Sequence, residues 1–235
     1  MIDDCEDVRF QEIFSKIAET HQLSTSSAPR ITTMTICYKT TFSALNTQAM
    51  EDSIGLAALL CDSTISTKPR KFKNCSIFNM DEYAYGANIT AKIFLNGTIH
   101  MTGCKSIGMS KLAIDNILGS LDICSDEDSK LIVIDSNIQM VNTSFKLAFG
   151  INMEKTFSFI SKFSDTVVKI TYDKEHHAAI KFSMFLSSDK KTTFLLFKSG
   201  SVIATGIKTS YEFKEGSNLF FSIVNKIPST FTCSN

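Results

Sequence analysis

Residues 94–105 read FLNGTIHMTGCK, and residues 197–208 read FKSGSVIATGIK. The two segments share the pattern Phe-x-x-Gly-x-x-x-x-Thr-Gly-x-Lys without a gap, at a constant offset of 103 positions. Five identities in twelve ungapped positions, within similar surroundings, indicate an internal duplication rather than a coincidence between two hairpins.

Each copy of this pattern predicts a β-hairpin followed by a helix. In the first copy, Asn96-Gly97 favours a two-residue hairpin turn because both residues tolerate a positive φ. The segments that follow the hairpins carry apolar side chains at helical spacing, and Pro228 ends the second one. The predicted strands lie at residues 90–94, 98–102, 192–197 and 201–205, and the predicted helices at 106–121 and 210–227.

Upstream of each hairpin the sequence predicts a further strand, helix and strand. These elements span residues 30–42, 46–60 and 72–80 in the first copy, and 130–149, 152–163 and 178–186 in the second. The polar segment 124–129 marks the boundary between the copies. We therefore expect an acidic N-terminal extension with a short amphipathic helix at 8–20 (residues 1–29), a first repeat (30–128) and a second repeat (129–235).

The net charge of the 235-residue chain is zero, but the charge is unevenly distributed. Residues 1–29 contain six acidic and two basic residues, a net charge of −4, so the remainder carries +4. This is a mild bias for a protein that would bind nucleic acid. The acidic extension has three open roles: docking on the chain's own binding face, binding another factor, or increasing solubility.

Several classes of protein are disfavoured. No apolar run is long enough to span a bilayer, and the acidic N-terminus lacks a signal peptide. The seven scattered cysteines form no Cys-x-x-Cys pair, which argues against a disulfide framework or a zinc site. His176 and His177 are adjacent on a predicted strand and would point to opposite faces, so we expect no metal. No catalytic motif is present, and we expect neither an enzyme nor a cofactor.

The order strand, helix, four antiparallel strands and helix, present twice, resembles the two halves of the TATA-box-binding protein family. The hairpin ending in Thr-Gly-x-Lys resembles that family's signature. KPRKF at residues 68–72 resembles the entry to its second strand, and YDKEHH at residues 172–177 resembles the end loop, or stirrup, of its second half. The resemblance implies an α+β fold of two tandem repeats forming a saddle, with a curved antiparallel sheet and helices on the convex face.

The resemblance also implies functional residues. In this family apolar side chains wedge between base steps of the minor groove. The implied wedge pairs are Phe72 with Phe94, and His177 with Phe197. Alternation along the strands adds to the same DNA-binding face Lys92, His100, Thr102, Leu195, Ile203 and Thr205. The implied phosphate contacts are Lys71, Lys105 and Lys208, and Asp173 and Glu175 match the acidic stirrup positions at which the family receives transcription factor IIB.

The chain departs from the family at several of these positions. The family's two base-reading asparagines fall on Thr32 and Met140, its second-strand arginines on Phe78 and Ser183, and its hairpin lysines on Thr98 and Ser201. Fewer cations imply a shallower salt dependence of DNA binding. Without the asparagines, we expect no strict preference for TATA.

These observations predict a general transcription initiation factor that binds and bends A/T-rich double-stranded promoter DNA and recruits a IIB-like factor and RNA polymerase. The alternative is a structural subunit of a transcription complex that uses the saddle for protein contacts and does not bind DNA. The divergence and the Asn-, Lys-, Ile- and Ser-rich composition favour a large DNA virus or an early-branching eukaryote. The expected location is the nucleus, or a cytoplasmic viral factory or virion.

Overall fold

A computed structural model of the chain describes residues 1–3, 5–21, 25–42, 65–66, 75–80, 86–123, 130–176 and 178–233. The helix that the sequence predicts at residues 46–60 lies outside them. The chain divides into two compact units, which we call unit 1 (Met1–Asp4 and Thr33–Gln139) and unit 2 (Cys5–Thr32 and Met140–Asn235). Residues 5–29, which the sequence assigned to an N-terminal extension, and residues 30–32, which it assigned to the first repeat, thus group with unit 2.

Apart from the helix at residues 46–60, each predicted helix and strand has a counterpart among the described elements, and four further short strands lie at residues 65–66, 150–151, 167–171 and 232–233. The helices are α1 Glu6–Thr20, α2 Ile107–Ile123, α3 Met153–Ile160 and α4 Ser210–Val224. The strands are β1 Thr25–Thr40, β2 Ile65–Ser66, β3 Cys75–Met80, β4 Ile89–Phe94, β5 Thr98–Cys104, β6 Val133–Leu147, β7 Gly150–Ile151, β8 Val167–Thr171, β9 Ala179–Phe185, β10 Lys191–Phe197, β11 Ser201–Ile207 and β12 Thr232–Cys233. In the described part of the chain, no helix is both long and apolar enough to cross a membrane.

The sheet of unit 1 has the strand order β2-β3-β4-β5-β1, with antiparallel neighbours. Alternate residues of β4 and β5 are buried, including Ile93 and Met101. Helix α2 packs against this buried face. The buried hydroxyls of Tyr38 and Ser110 join the sheet to α2 across 2.6 Å, and burial raises the pKa of Tyr38 to about 12.

The sheet of unit 2 has the strand order β6-β11-β10-β9-β8, also with antiparallel neighbours. Its buried face is rich in aromatic rings. The ring of Phe220 on α4 stacks on Phe194 and Phe182, with centroids 4.7 and 5.9 Å apart. Helix α4 therefore covers the same side of this sheet that α2 covers in unit 1.

The duplication inferred from sequence extends to the register of the two hairpins. Thr90 lies opposite Thr102 and Lys92 opposite His100, while Thr193 lies opposite Thr205 and Leu195 opposite Ile203. Each of the two pairs in the first hairpin matches a pair in the second at the offset of 103 positions. The internal repeat is thus confirmed at the level of individual cross-strand pairs.

The predicted two-residue turn at Asn96-Gly97 is wrong. The backbone N–H of Gly97 donates to the carbonyl oxygen of Phe94 at 3.0 Å, and that of Gly200 donates to Phe197 at 2.9 Å. Gly97 has φ 74°, whereas Asn96 has a negative φ, so the loop has three residues with glycine in the left-handed position. The side chain of Asn96 instead accepts a hydrogen bond from the N–H of Thr98 at 3.1 Å.

The predicted amphipathic helix near the N-terminus is confirmed as α1, and it packs along α4 within unit 2. The rings of Phe10 and Phe14 contact the ring of Phe213, with centroids 6.4 and 5.2 Å apart. The carboxylate of Glu6 accepts a hydrogen bond from the first N–H of α4, that of Ser210, at 2.5 Å. Residues 6–20 therefore occupy the helical side of unit 2 and do not dock on the exposed face of its sheet.

Candidate nucleic-acid interface

Among the described residues, no helix covers one face of the sheet in unit 1, and we call this face the open face of unit 1. Strand alternation places on it Thr35, Lys39, Ile77, Asn79, Thr90, Lys92, Phe94, Thr98, His100 and Thr102. The half-exposed ring of Phe94 meets the edge of the His100 ring, with centroids 5.2 Å apart. The hydroxyl of Thr90 donates to the side-chain oxygen of Asn79 at 3.0 Å.

We call the equivalent face of the sheet in unit 2 the open face of unit 2. It carries Met140, Asn142, Ser144, Lys146, Thr171, Lys181, Ser183, Thr193, Leu195, Phe197, Ser201, Ile203 and Thr205. Leu195, Phe197 and Ile203 are half-buried on two neighbouring strands. The hydroxyls of Ser183 and Thr193 lie 2.9 Å apart, and the hydroxyl of Thr205 contacts the sulfur of Met140 at 3.4 Å.

The strands differ sharply in charge from the rest of the chain. Asp135 is the one carboxylate in the twelve strands of the described residues, and the amino group of Met1 contacts it at 3.2 Å. The hydrogen bond from this amino group lowers the pKa of Asp135. The basic residues of the same strands are Arg30, Lys39, Lys92, Lys146, Lys169, Lys181 and Lys191. Although the net charge of the chain is zero, these strands carry an excess of positive charge that attracts anions.

Lys105 and Lys208, the predicted phosphate contacts, lie beside the open faces rather than on them. Each is exposed and follows the last strand of a hairpin, just before α2 or α4. The ammonium of Lys105 donates to the carbonyl oxygen of Gly86 at 2.8 Å. The backbone N–H of Lys208 donates to the carboxylate of Glu212 at 2.7 Å. Both lysines are therefore at the edge of the candidate interface.

The predicted partner-binding residues lie in a turn after β8. The carboxylate of Asp173 accepts hydrogen bonds from the N–H groups of Glu175 and His176, at 3.0 and 3.1 Å, and contacts the ring of His176 at 2.9 Å. Asp173 thus shapes the turn, whereas the side chain of Glu175 is exposed at its tip. A cleft of about 730 Å³ next to this turn is lined by residues that include Tyr172, Lys181 and Phe197.

Three predicted site residues, Lys71, Phe72 and His177, lie outside the described residues. Of the four wedge positions, the structure therefore describes Phe94 and Phe197. Among the residues that it does describe, no three His, Cys, Asp or Glu side chains are grouped so that they could hold a metal ion.

The strand register corrects the sequence assignment of one arginine position. Ser183 lies opposite Thr193, and Asn79 lies opposite Thr90. Because Thr90 and Thr193 are equivalent, the counterpart of Ser183 is Asn79. Phe78, which the sequence alignment placed there, is 0% exposed and belongs to the core. A shift of one residue along a strand moves a side chain to the opposite face.

The same argument corrects one of the two asparagine positions. Met34 lies opposite Cys104, and Val141 lies opposite Ile207. Cys104 and Ile207 are again 103 positions apart, so their partners Met34 and Val141 are equivalent. The residues that precede these partners, Thr33 in unit 1 and Met140 in unit 2, are therefore the matching pair. The sequence assignment of Thr32 is wrong by one residue, since a bulge between Met34 and Thr35 shifts the register.

Sequence reasoning missed open-face residues on the outer strands β3 and β9, among them Asn79 and Lys181. The hairpin signature drew attention to β4, β5, β10 and β11, whereas β3 and β9 carry no repeated motif. The signal that was available is the alternation of apolar and polar residues along β9, where Lys181 and Ser183 interrupt an otherwise apolar strand.

Comparisons with known proteins agree with this architecture. The sequence profile of the family described as "Transcription factor TFIID (or TATA-binding protein, TBP)" matches residues 135–227. A TATA-box-binding protein from Methanobrevibacter smithii is 32% identical over 127 residues, which are 54% of this chain and 63% of that protein. A TATA-box-binding protein-like protein of Acanthamoeba polyphaga mimivirus is 25% identical over 144 residues, which are 51% of this chain and 38% of the viral protein. The chain thus spans less than two thirds of either relative.

A solved structure extends the likeness to both repeats. The fold of the Methanococcus jannaschii TBP superposes with a TM-score of 0.59 at 19% identity, and it covers 85% of this chain and 99% of that one. A duplicated α+β unit, with an antiparallel sheet covered by helices on one side, is the fold class that the sequence predicted. Together these matches support a divergent protein of the TATA-box-binding protein family.

Proposed function

We propose that this protein is a general transcription initiation factor that binds A/T-rich promoter DNA in the minor groove and bends it. One observation carries the proposal. Phe94 and Phe197 occupy the same position of two equivalent hairpins, and each is partly exposed on the open face of its unit. The described strands carry seven basic residues and one carboxylate, that of Asp135. Large aromatic rings are normally buried in a core, so two equivalent, partly exposed rings favour a ligand with stacked, apolar surfaces.

The chemistry of the open faces suits the minor groove. Inserting Phe94 and Phe197 between base steps would cost a few kcal/mol for each step that is unstacked, and the extra surface that bent DNA covers would offset this cost. Flexible steps such as TA kink most easily, which favours A/T-rich sites. Because Thr33 and Met140 stand at the asparagine positions, we expect preference for A/T content rather than for one strict sequence.

The proposal includes recruitment of a IIB-like factor and RNA polymerase, without any catalytic activity of the protein itself. Exposed Glu175 supports a docking site for a basic partner surface at the turn after β8. Action in a nucleus or in a viral factory is equally part of the proposal, and the likeness to a mimivirus protein supports the second location.

A second candidate function is that of a structural subunit that binds other proteins and not DNA. The open-face residues Asn79 and Ser183 favour it, because they stand where the family has phosphate-gripping arginines. The two functions make opposite predictions for a direct binding experiment.

The experiment is a fluorescence anisotropy titration of the full chain against an A/T-rich and a G/C-rich duplex at low salt. We expect binding that is tighter for the A/T-rich duplex and that weakens as salt is added. Absence of binding to both duplexes would contradict the proposed function and support the structural subunit. Equal binding to both would contradict the minor-groove preference.

The partner proposal has its own test. Glu175→Arg should prevent a purified IIB-like factor from joining the protein–DNA complex, while DNA binding by the protein alone persists. Asp165→Arg changes the charge at another exposed position of unit 2 and serves as the matched control. Recruitment by the Glu175→Arg protein as good as by the control would contradict the assignment.

A further inference from the structure

The two open faces contain equivalent rows of cross-strand partners. In unit 1 the row runs from Ile77 on β3 through Lys92 on β4 to His100 on β5. In unit 2 it runs from Lys181 on β9 through Leu195 on β10 to Ile203 on β11. The offset of 103 makes Lys92 equivalent to Leu195, and the pairing then makes Ile77 equivalent to Lys181.

The two rows have exchanged a lysine and an aliphatic residue. Unit 1 has its lysine on the hairpin strand β4, with Ile77 beside it on the outer strand. Unit 2 has leucine on the hairpin strand β10, with Lys181 beside it on the outer strand. Each unit therefore keeps one lysine and one aliphatic side chain in this cross-strand pair, although the sequence alignment shows only the loss of a lysine at Leu195.

We propose that Lys181 binds a DNA phosphate and is the counterpart in unit 2, one strand further out, of Lys92 on the open face of unit 1. This inference rests on the proposed function. Neighbouring strands are about 4.8 Å apart, and the lysine ammonium sits on a flexible four-carbon stem, so the charge remains within reach of the same stretch of backbone.

The surroundings of Lys181 support a role in binding an anion. Its side chain is exposed, and its cross-strand partners are the uncharged Thr171 and Leu195. Asp173 lines the same cleft, but its carboxylate is engaged by the backbone and the His176 ring of its own turn. No carboxylate of the described sheet of unit 2 competes for the Lys181 ammonium.

The exchange also changes what surrounds each wedge residue. Phe94 has the polar neighbours Lys92 and His100, whereas Leu195 and Ile203 give Phe197 an apolar surrounding. The two units therefore offer DNA different chemistry, since the lysine of this row lies on the hairpin strand in unit 1 and on the outer strand in unit 2.

The salt dependence of DNA binding tests the inference, because each phosphate contact contributes about −0.9 to the slope of log K against log salt concentration. We expect Lys181→Gln to bind more weakly and to reduce the magnitude of the slope by about 1. Lys181→Leu combined with Leu195→Lys, which gives unit 2 the arrangement of unit 1, should restore the wild-type slope. Lys162→Gln, at an exposed position after α3, is the matched control and should leave it unchanged.

Circular dichroism of each variant verifies that it is folded, and the exposure of Lys181 makes Lys181→Gln a mild change. A wild-type slope in Lys181→Gln, an equal reduction in Lys162→Gln, or a loss that the exchanged double variant does not restore would each overturn the assignment of Lys181. In those three cases wild-type binding shows that the proposed function survives. Absence of wild-type binding would overturn both.

Discussion

Gly97 and Gly200 explain why glycine recurs in the two copies of the hairpin. Their φ angles are 74° and 77°. A Cβ atom at Gly97 would lie 2.1 Å from the carbonyl oxygen of Phe42, and one at Gly200 would lie 2.2 Å from that of Phe149. Both the backbone conformation and the available space therefore require glycine, and the repeated residue has a structural role.

Replacing Gly97 should thus destabilise the protein. We expect Gly97→Ala to lower the free energy of unfolding by more than about 1 kcal/mol, because the added methyl group meets backbone that cannot move aside. Gly119→Ala, in the exposed face of α2 where no atom lies within 4 Å, should raise the free energy of unfolding by about 0.5–1 kcal/mol. Urea denaturation followed by circular dichroism measures both. The same sign of change in the two variants would contradict this account.

The strand face of a residue was predicted well where local sequence rules determine it and poorly where the pairing register of the strands determines it. Strand alternation correctly placed Lys92, Phe94, Leu195 and Phe197 on one face of each hairpin. Phe78 and Thr32 were misassigned by one position, since their register depends on pairing with other strands and on a bulge. Neither the strand pairing nor the bulge can be read from a single sequence without a known structure.

At the scale of elements, α1 is the clearest addition that the described residues show beyond the repeated units. Its apolar stripe predicted a helix that buries one face, but it did not name the surface that receives it. The structure supplies that surface in Phe213 of α4, whose ring contacts Phe10 and Phe14. The sequence thus indicated that α1 buries one face, whereas the surface against which it packs follows from tertiary structure.

The packing of α1 predicts a large effect of a single substitution. Phe10 is 0% exposed, and truncating a buried phenylalanine costs about 3–5 kcal/mol, so Phe10→Ala should markedly lower the free energy of unfolding. Val8→Ala, on the exposed side of the same helix (59% exposed), should change it by no more than about 0.5 kcal/mol. Limited proteolysis should also release residues 1–20 faster from the Phe10→Ala protein. Equal stability of the two variants would show that α1 is not docked in solution.

The end of α1 predicts a dependence of stability on pH. The ring of His21 stacks on Phe221, with centroids 3.9 Å apart, and burial lowers the pKa of His21 from its ordinary 6.5. The unfolded chain therefore binds a proton more readily than the folded one, so this contribution is present above about pH 6.5 and is lost as the pH falls below it. The charged residues Lys16, Arg9, Glu12 and Lys214 line a groove together with His21.

Urea denaturation at about pH 7.5 and at about pH 5 tests this dependence, and the wild type should be less stable at the lower pH. The His21→Gln variant should lose less stability between the two than the wild type does. An equal loss in both proteins would assign the effect to other groups.

On the scale of the whole molecule, the difference in charge between the strands and the other segments matters more for binding an anion than the net charge of the chain does. The full chain has a net charge of zero and a mild positive bias after residue 29. Only the assignment of residues to strands reveals that the described strands carry seven basic residues and a single carboxylate. The duplication and the fold class were predictable because turn residues and apolar periodicity are local signals. The exchange between Lys92 and Lys181 was not, since it depends on which strands are neighbours.

The central claim is that two equivalent phenylalanines bend DNA, and resonance energy transfer between the ends of a labelled A/T-rich duplex tests it most directly. The wild-type protein should raise the transfer efficiency as it binds. Phe94→Ala and Phe197→Ala should each lower the efficiency at saturation, because one kink is lost, and the double variant should reduce it to near the value of free DNA. Binding by the wild type without any rise in transfer, or an undiminished rise in the double variant, would contradict the claim.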